Sequence, residues 1–170
     1  AKLRFTAQPT PAVAGAAIAP AITVTAQDAF DNTVTSYSGA VTIAINNNPA
    51  AGTLSGTATA TPTSGVATFA GLSINKAGTG YTLRATSGAL TQDVSSAFNI
   101  TSGAAASLSF TVQPSAVASG AAITPAVQVT ALDAQGDRRD AWQVIANGGF
   151  PALALALGGP GAQLAFAAGL

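Results

Sequence analysis

From Ala1 the chain reads AKLRFTAQPTPAVAGAAIAPAITVTAQDAFDN, and from Ala106 it reads ASLSFTVQPSAVASGAAITPAVQVTALDAQGD. The two stretches lie 105 positions apart, align without a gap, and are identical at more than half of their positions. A duplication of this length constrains the fold more than composition does. Each copy has to be one structural module, and the second copy begins to rebuild whatever the first one forms.

Within the first copy the signal is β. Ile22-Thr-Val24-Thr-Ala26, Val41-Thr-Ile43-Ala-Ile45, Ala67-Thr-Phe69, Tyr81-Thr-Leu83-Arg-Ala85 and Phe98-Asn-Ile100 alternate from residue to residue. That period of two marks strands with one buried face. Turn clusters separate them: Asp31-Asn32, Ser38-Gly39, Asn46 to Pro49, Ser64-Gly65, Ala77 to Gly80 and Ser87-Gly88. No stretch has an amphipathic helical period. Ile22, Val24, Val41, Ile43, Phe69, Leu72, Ile74, Tyr81, Leu83, Phe98 and Ile100 form the expected core, between two antiparallel sheets.

About 100 residues with short, evenly spaced strands is the size of an immunoglobulin-type sandwich. KAGTGYTL, Lys76 to Leu83, adds a local feature: Tyr81 follows a glycine-bearing corner and precedes an inward-facing residue by two. This is the layout of a tyrosine corner, with Leu83 where antibody domains carry cysteine. Together with PAITVTAQDAFDN, GAVTIAI, GTLSG and GVATFAGLSINKAGTGYTLRATSGAL, these residues resemble the bacterial immunoglobulin-like repeats of invasin- and intimin-type surface proteins. The resemblance covers residues 1–101 and the opening third of the second copy. It implies an all-β, antiparallel immunoglobulin-like sandwich, one complete module followed by a partial second copy. It also implies a stalk or adhesive role, since such repeats mostly space other domains.

Composition removes most chemistry. There is no Cys, Met, His or Glu; six Lys and Arg (Lys2, Arg4, Lys76, Arg84, Arg138, Arg139) balance six Asp. Net charge is zero and only 7% of residues are charged, so no electrostatic footprint for nucleic acid or an anionic membrane exists. Hydrophobic residues make up 48%, enough to bury a core. Without Cys there is neither a disulfide scaffold nor a thiolate metal site. Without His, Cys or Glu the usual catalytic bases and nucleophile partners are missing, and no enzyme is expected. The absence of Cys and of a basic-then-apolar leader at Ala1 fits a piece of a longer bacterial chain, extracellular or at the cell surface.

Calcium is the one metal to weigh, because it takes hard oxygen ligands. Asp28, Asp31 and Asn32 share one loop, and Asp133 and Asp137 recur in the copy. Calcium needs six or more oxygens and each module supplies two or three carboxylates, so the turn-forming role of Asp and Asn is preferred and no cofactor is expected. Thr23, Thr25, Thr42, Thr57, Thr59 and Thr61 read as solvent-facing strand formers. A carbohydrate-binding face would need exposed aromatics, which 6% aromatic content scarcely provides.

Ser102 to Ala105 is a four-residue linker, too short for independent wandering, so neighbouring repeats of the same chain are expected partners. The second module, 106–170, follows the repeat to about Gly136. From about residue 137 an Ala/Gly/Leu-rich tail replaces it, without one Ser or Thr after Thr130. Three readings stand for the tail: an off-frame continuation, a native hairpin using Ala152–Leu157 and Gln163–Leu170, or a membrane span, which Asn147, Pro151 and Gly158-Gly-Pro-Gly161 interrupt. Trp142 reads as packing or as no native feature. The strands Leu108 to Val112 and Val127 to Ala131 point Leu108, Phe110, Val127 and Val129 at a core that needs a partner sheet. The alternative to a stalk is therefore a filament subunit, a homo-oligomer completed by strand donation.

Overall fold

KLRFTA opens the first unit as strand β1 (Lys2–Ala7), with Leu3 and Phe5 buried and Arg4 and Thr6 outward, as a period of two requires. It lies antiparallel to β3 (Ile22–Gln27), whose other edge takes β7 (Val66–Phe69). These three strands form one sheet, in the order β1-β3-β7. A second sheet is built from β2 (Ala12–Val13), β11 (Phe98–Thr101), β9 (Gly78–Thr86), β4 (Val41–Asn47) and β6 (Thr59–Ala60), in that order. β10 (Asp93–Val94) pairs with the far end of β9, and β5 (Leu54–Ser55) pairs with β8 (Ser73–Ile74) in a short ladder. Among the described residues every strand pair is antiparallel except β2 with β11, where Ile100 faces Ala12 and Thr101 faces Val13.

The computed structural model describes residues 1–138 and 164–165, and contacts divide the chain into Ala1–Thr101 and Ser102–Leu170. No helix occurs among the described residues. The first unit is all-β, and its two main sheets bury their apolar faces in one cluster, an arrangement consistent with a β-sandwich. Leu3, Phe5, Ile22, Val24 and Phe69 come from one sheet; Val41, Ile43, Tyr81, Leu83, Phe98 and Ile100 come from the other. Every residue expected in the core from sequence is buried there. Leu3, Phe5 and Ile18 join them. The Tyr81 and Phe98 rings meet at 6.2 Å between centroids.

Thr25 departs from expectation: it is buried, not solvent-facing. It stands on the middle strand of a three-stranded sheet, flanked by Arg4 on one side and Val66 on the other. Its hydroxyl is 3.0 Å from that of Thr6, which also meets Thr23 at 2.9 Å. Thr42, Thr57, Thr59 and Thr61 are exposed.

The two ends of the first unit lie at opposite ends of β9. Ala1 and Leu3 hydrogen-bond Thr91, and Asp93 pairs with Ala85 near the C-terminal end of that strand. Ile100 pairs with Gly78 at its N-terminal end. Nine residues at about 3.3 Å each separate these points.

The second unit repeats the first sheet. β12 (Ser107–Val112) is antiparallel to β13 (Gln128–Leu132), with an irregularity between Phe110 and Val112 where the first copy has one between Phe5 and Ala7. β14 (Leu164–Ala165) pairs with β13 through Gln128–Ala165 and Val129–Leu164. In the first copy the equivalent pairs are Thr23–Thr68 and Val24–Ala67, so β14 occupies the register of β7. Ala152–Leu157, Trp142, the membrane span weighed above and, apart from Asp137, Arg138 and Leu164–Ala165, the rest of the tail lie outside the described residues.

Candidate functional site

The loop after β3 is organised by one carboxylate. Asp28 Oδ1 accepts the backbone N–H groups of Phe30 and Asn32 at 2.8 and 2.9 Å, and Oδ2 accepts Asn32 Nδ2 at 3.2 Å. The Asn32 side-chain bond, then the two amides, hold the Asp28 carboxyl below its ordinary range, because each donor favours the ionised form. Asp31 sits in the left-handed region at φ 67°, which Asp tolerates better than most residues, and pairs with Lys2 Nζ. The loop leaves Phe30 86% exposed.

The copy rebuilds this clamp with different residues. Asp133 Oδ1 accepts the amides of Gln135 and Asp137 at 2.9 and 2.8 Å. Gly136, φ 76°, takes the position of Asp31, and Gln135 that of Phe30. Asp133 Oδ2 accepts the Gly103 amide at 2.7 Å, so the carboxylate ties the linker segment to the loop. Asp133 is 3% exposed. Sequence reasoning placed both aspartates in turns, but nothing in the sequence announced the Gly103 contact.

Of the calcium candidates, the structure brings Asp28 together with Asn32, and Asp133 with the backbone of Asp137; Asp31 turns to Lys2. Among the described residues no three carboxylates gather round one point. The arrangement is that of a backbone clamp.

Hydroxyls are similarly engaged. Tyr81 donates from its hydroxyl to the Lys76 carbonyl at 3.0 Å, five residues upstream. Gly52 makes room for it: a Cβ there would stand 2.8 Å from the Tyr81 oxygen and from Ile74. Buried Ser87 donates to the Ala40 carbonyl at 2.5 Å and meets the Tyr37 hydroxyl at 2.7 Å. None of these partners is a base that would activate a nucleophile.

An exposed apolar surface lies on the second unit. Leu108 and Phe110 are 67% and 52% exposed, and with half-buried Val127 and Val129 they line an open groove of about 360 Å³ whose lining, among the described residues, is wholly apolar. These four residues are the ones expected from sequence to need a covering sheet. Compared with known proteins, the chain matches no family model, no curated protein and no solved structure.

Proposed function

We propose that the chain is a non-catalytic, immunoglobulin-like structural repeat, an adhesive or stalk segment of a larger bacterial surface or secreted protein. The observation that carries this reading is the strand plan of the first unit. Sheets ordered β1-β3-β7 and β2-β11-β9-β4 correspond to the two sheets of an immunoglobulin-type sandwich, with the first strand divided between them. The bond from the Tyr81 hydroxyl to the Lys76 carbonyl, five residues upstream, supports the reading of a tyrosine corner. The resemblance to invasin- and intimin-type repeats rests on the same residues.

A stalk module has to carry tension between its ends, and the first unit suits that task. Its ends lie at opposite ends of β9; β11 carries one of them, and its parallel neighbour β2 follows β1, which carries the other. Pulling the ends apart slides β2 past β11, which loads their hydrogen bonds together, including Ala14 N–H to the Thr101 carbonyl at 2.8 Å. End-to-end pulling of single molecules tests the proposal. A stalk repeat should give one cooperative unfolding event for Ala1–Thr101, weakened by Ala14→Pro, which removes the N–H given to the Thr101 carbonyl. Extension without a resolvable force peak would sink it.

The exposed Leu108 and Phe110 favour a second reading, a subunit that assembles through its second unit. Calcium, sugars and a surface ligand have no observation behind them and enter neither reading.

A further inference from the structure

The aspartate clamps of the two copies share one backbone path. Asp133 N–H bonds the Asp137 carbonyl as Asp28 N–H bonds that of Asn32, at 3.0 and 2.9 Å. Leu132 bridges Arg138 as Gln27 bridges Thr33. In both copies the aspartate Oδ1 accepts the amides two and four residues further on. The copies part at Oδ2. Asp133 gives it to the amide of Gly103, three residues before Ala106, at 2.7 Å, whereas Asp28 gives it to the side chain of Asn32 at 3.2 Å.

Ala106 is the counterpart of Ala1, and Ser107 pairs with Leu132 as Lys2 pairs with Gln27, so the chain enters each module beside its aspartate. The Asn32 side chain is the largest cause of the lowered Asp28 carboxyl, and the charge of the Ala1 amino group adds to it, as fits a chain entry close to the carboxylate. An exposed side-chain amide at 3.2 Å holds that oxygen less firmly than a backbone N–H at 2.7 Å. Asp137, the counterpart of Asn32, is acceptor-only when ionised and offers the second copy no such competitor. We infer that Asp28 Oδ2 is the docking site for a peptide segment joined ahead of Ala1, taking the backbone N–H of the third residue before it as Asp133 takes that of Gly103. Asn32 stands in for that segment. The ligand is main chain, so the site accepts any residue there except proline, which has no N–H to give. Where the chain does carry such a segment, at Ser102 to Ala105, a linker that reads as four residues is held at its second.

This inference rests on the duplication and not on a mechanical role, so its failure would leave the stalk reading standing. The test extends the full chain ahead of Ala1 by Ser-Gly-Ala-Ala, the sequence of residues 102–105, with isotope-labelled glycine, and follows amide exchange by NMR. The added glycine should exchange about tenfold or more slower than in the free peptide, as an amide bonded to a carboxylate does. Asp28→Ala should return it to the free rate. Asn32→Ala removes the competing side-chain donor but keeps the backbone amides, and should slow the glycine further. A glycine that exchanges at the free-peptide rate in the extended chain would overturn the inference. So would protection that survives Asp28→Ala, since another group would then hold the amide. Protection unchanged or reduced by Asn32→Ala would overturn it as well, because Oδ2 would not be the acceptor.

Discussion

Phe5 and Phe110 stand at the same step of the same local structure, each on the first strand of an antiparallel pair, each just before an irregularity in the register. One is 4% exposed and the other 52%. The difference separates what a β-sequence does locally from what it needs at long range. Strand, irregularity and aspartate clamp form in both copies from about 30 residues of similar sequence. Burial of Phe5 comes from β4, β9 and β11, which follow much later in the chain. Among the described residues, local structure recurs with the repeat and the burial of its first-strand phenylalanine does not.

The sharpest way to break that contrast is to make the same truncation in both copies. Phe5→Ala should destabilise the first unit by about 3–5 kcal/mol, the range for a buried phenylalanine, and Phe69→Ala should do the same. Phe110→Ala, in dilute monomer, should change unfolding by less than about 0.5 kcal/mol, as surface substitutions do. Urea titration followed by circular dichroism measures all three. Similar costs at Phe5 and Phe110 would mean that Phe110 is covered.

The next largest effect belongs to the covering sheet alone. Tyr81→Phe keeps the ring against Phe98 and removes only the bond to the Lys76 carbonyl, so it should cost about 1 kcal/mol. Thermal melting of the first unit should fall accordingly. No change would show that the hydroxyl does not hold the corner.

What could be read in advance divides along the same line. The alternation of Ile22-Thr-Val24 or Tyr81-Thr-Leu83 carries a period of two that depends only on the pleat, so strands and core were legible. The aromatic corner was legible because glycine, tyrosine and leucine stand at a fixed spacing. Thr25 was misread because alternation assigns a face but not its neighbours, and Thr25 stands on a middle strand with Arg4 and Val66 opposite it on the two adjacent strands. The parallel pairing of β2 with β11 joins residues 88 positions apart, and two-residue strands have no periodicity to detect. At the candidate site, Asp28 and Asp133 were recognisable as turn residues, whereas the reach of Asp133 to Gly103 follows from chain path, not composition.

The two clamps should respond unequally to loss of their carboxylate. Asp133→Ala strands three amide donors around a buried position, a loss of about 1–3 kcal/mol, and amide exchange should quicken at Gly103, Gln135 and Asp137. Asp28→Ala should have a smaller effect in the same direction, because water reaches its loop. The sign with pH is fixed by the lowered Asp28 carboxyl. Its contribution is complete above the ordinary carboxylate range and is lost as pH falls through the lower folded value. Protection of the Phe30 and Asn32 amides should therefore persist to more acidic pH than an ordinary carboxylate would allow. Protection that vanished at the ordinary carboxylate pKa, or that rose on acidification, would contradict the clamp.

The smallest expected effect is that of calcium, and it tests whether the clamps are only clamps. Anything that binds the folded state selectively raises its melting temperature as its concentration exceeds the dissociation constant. Asp28 spends both oxygens on donors of its own loop, and Asp133 spends both on backbone amides. Those donors already occupy most of the carboxylate lone pairs a cation would use, and calcium asks for six to eight oxygens. Millimolar calcium added to a metal-stripped sample should therefore leave both units melting where they did. A rise of several degrees, abolished in Asp28→Ala or Asp133→Ala, would show that the N–H groups yield to a metal. The loop whose mutation abolished the rise would be the calcium site, and the two copies would then differ in chemistry as well as in cover.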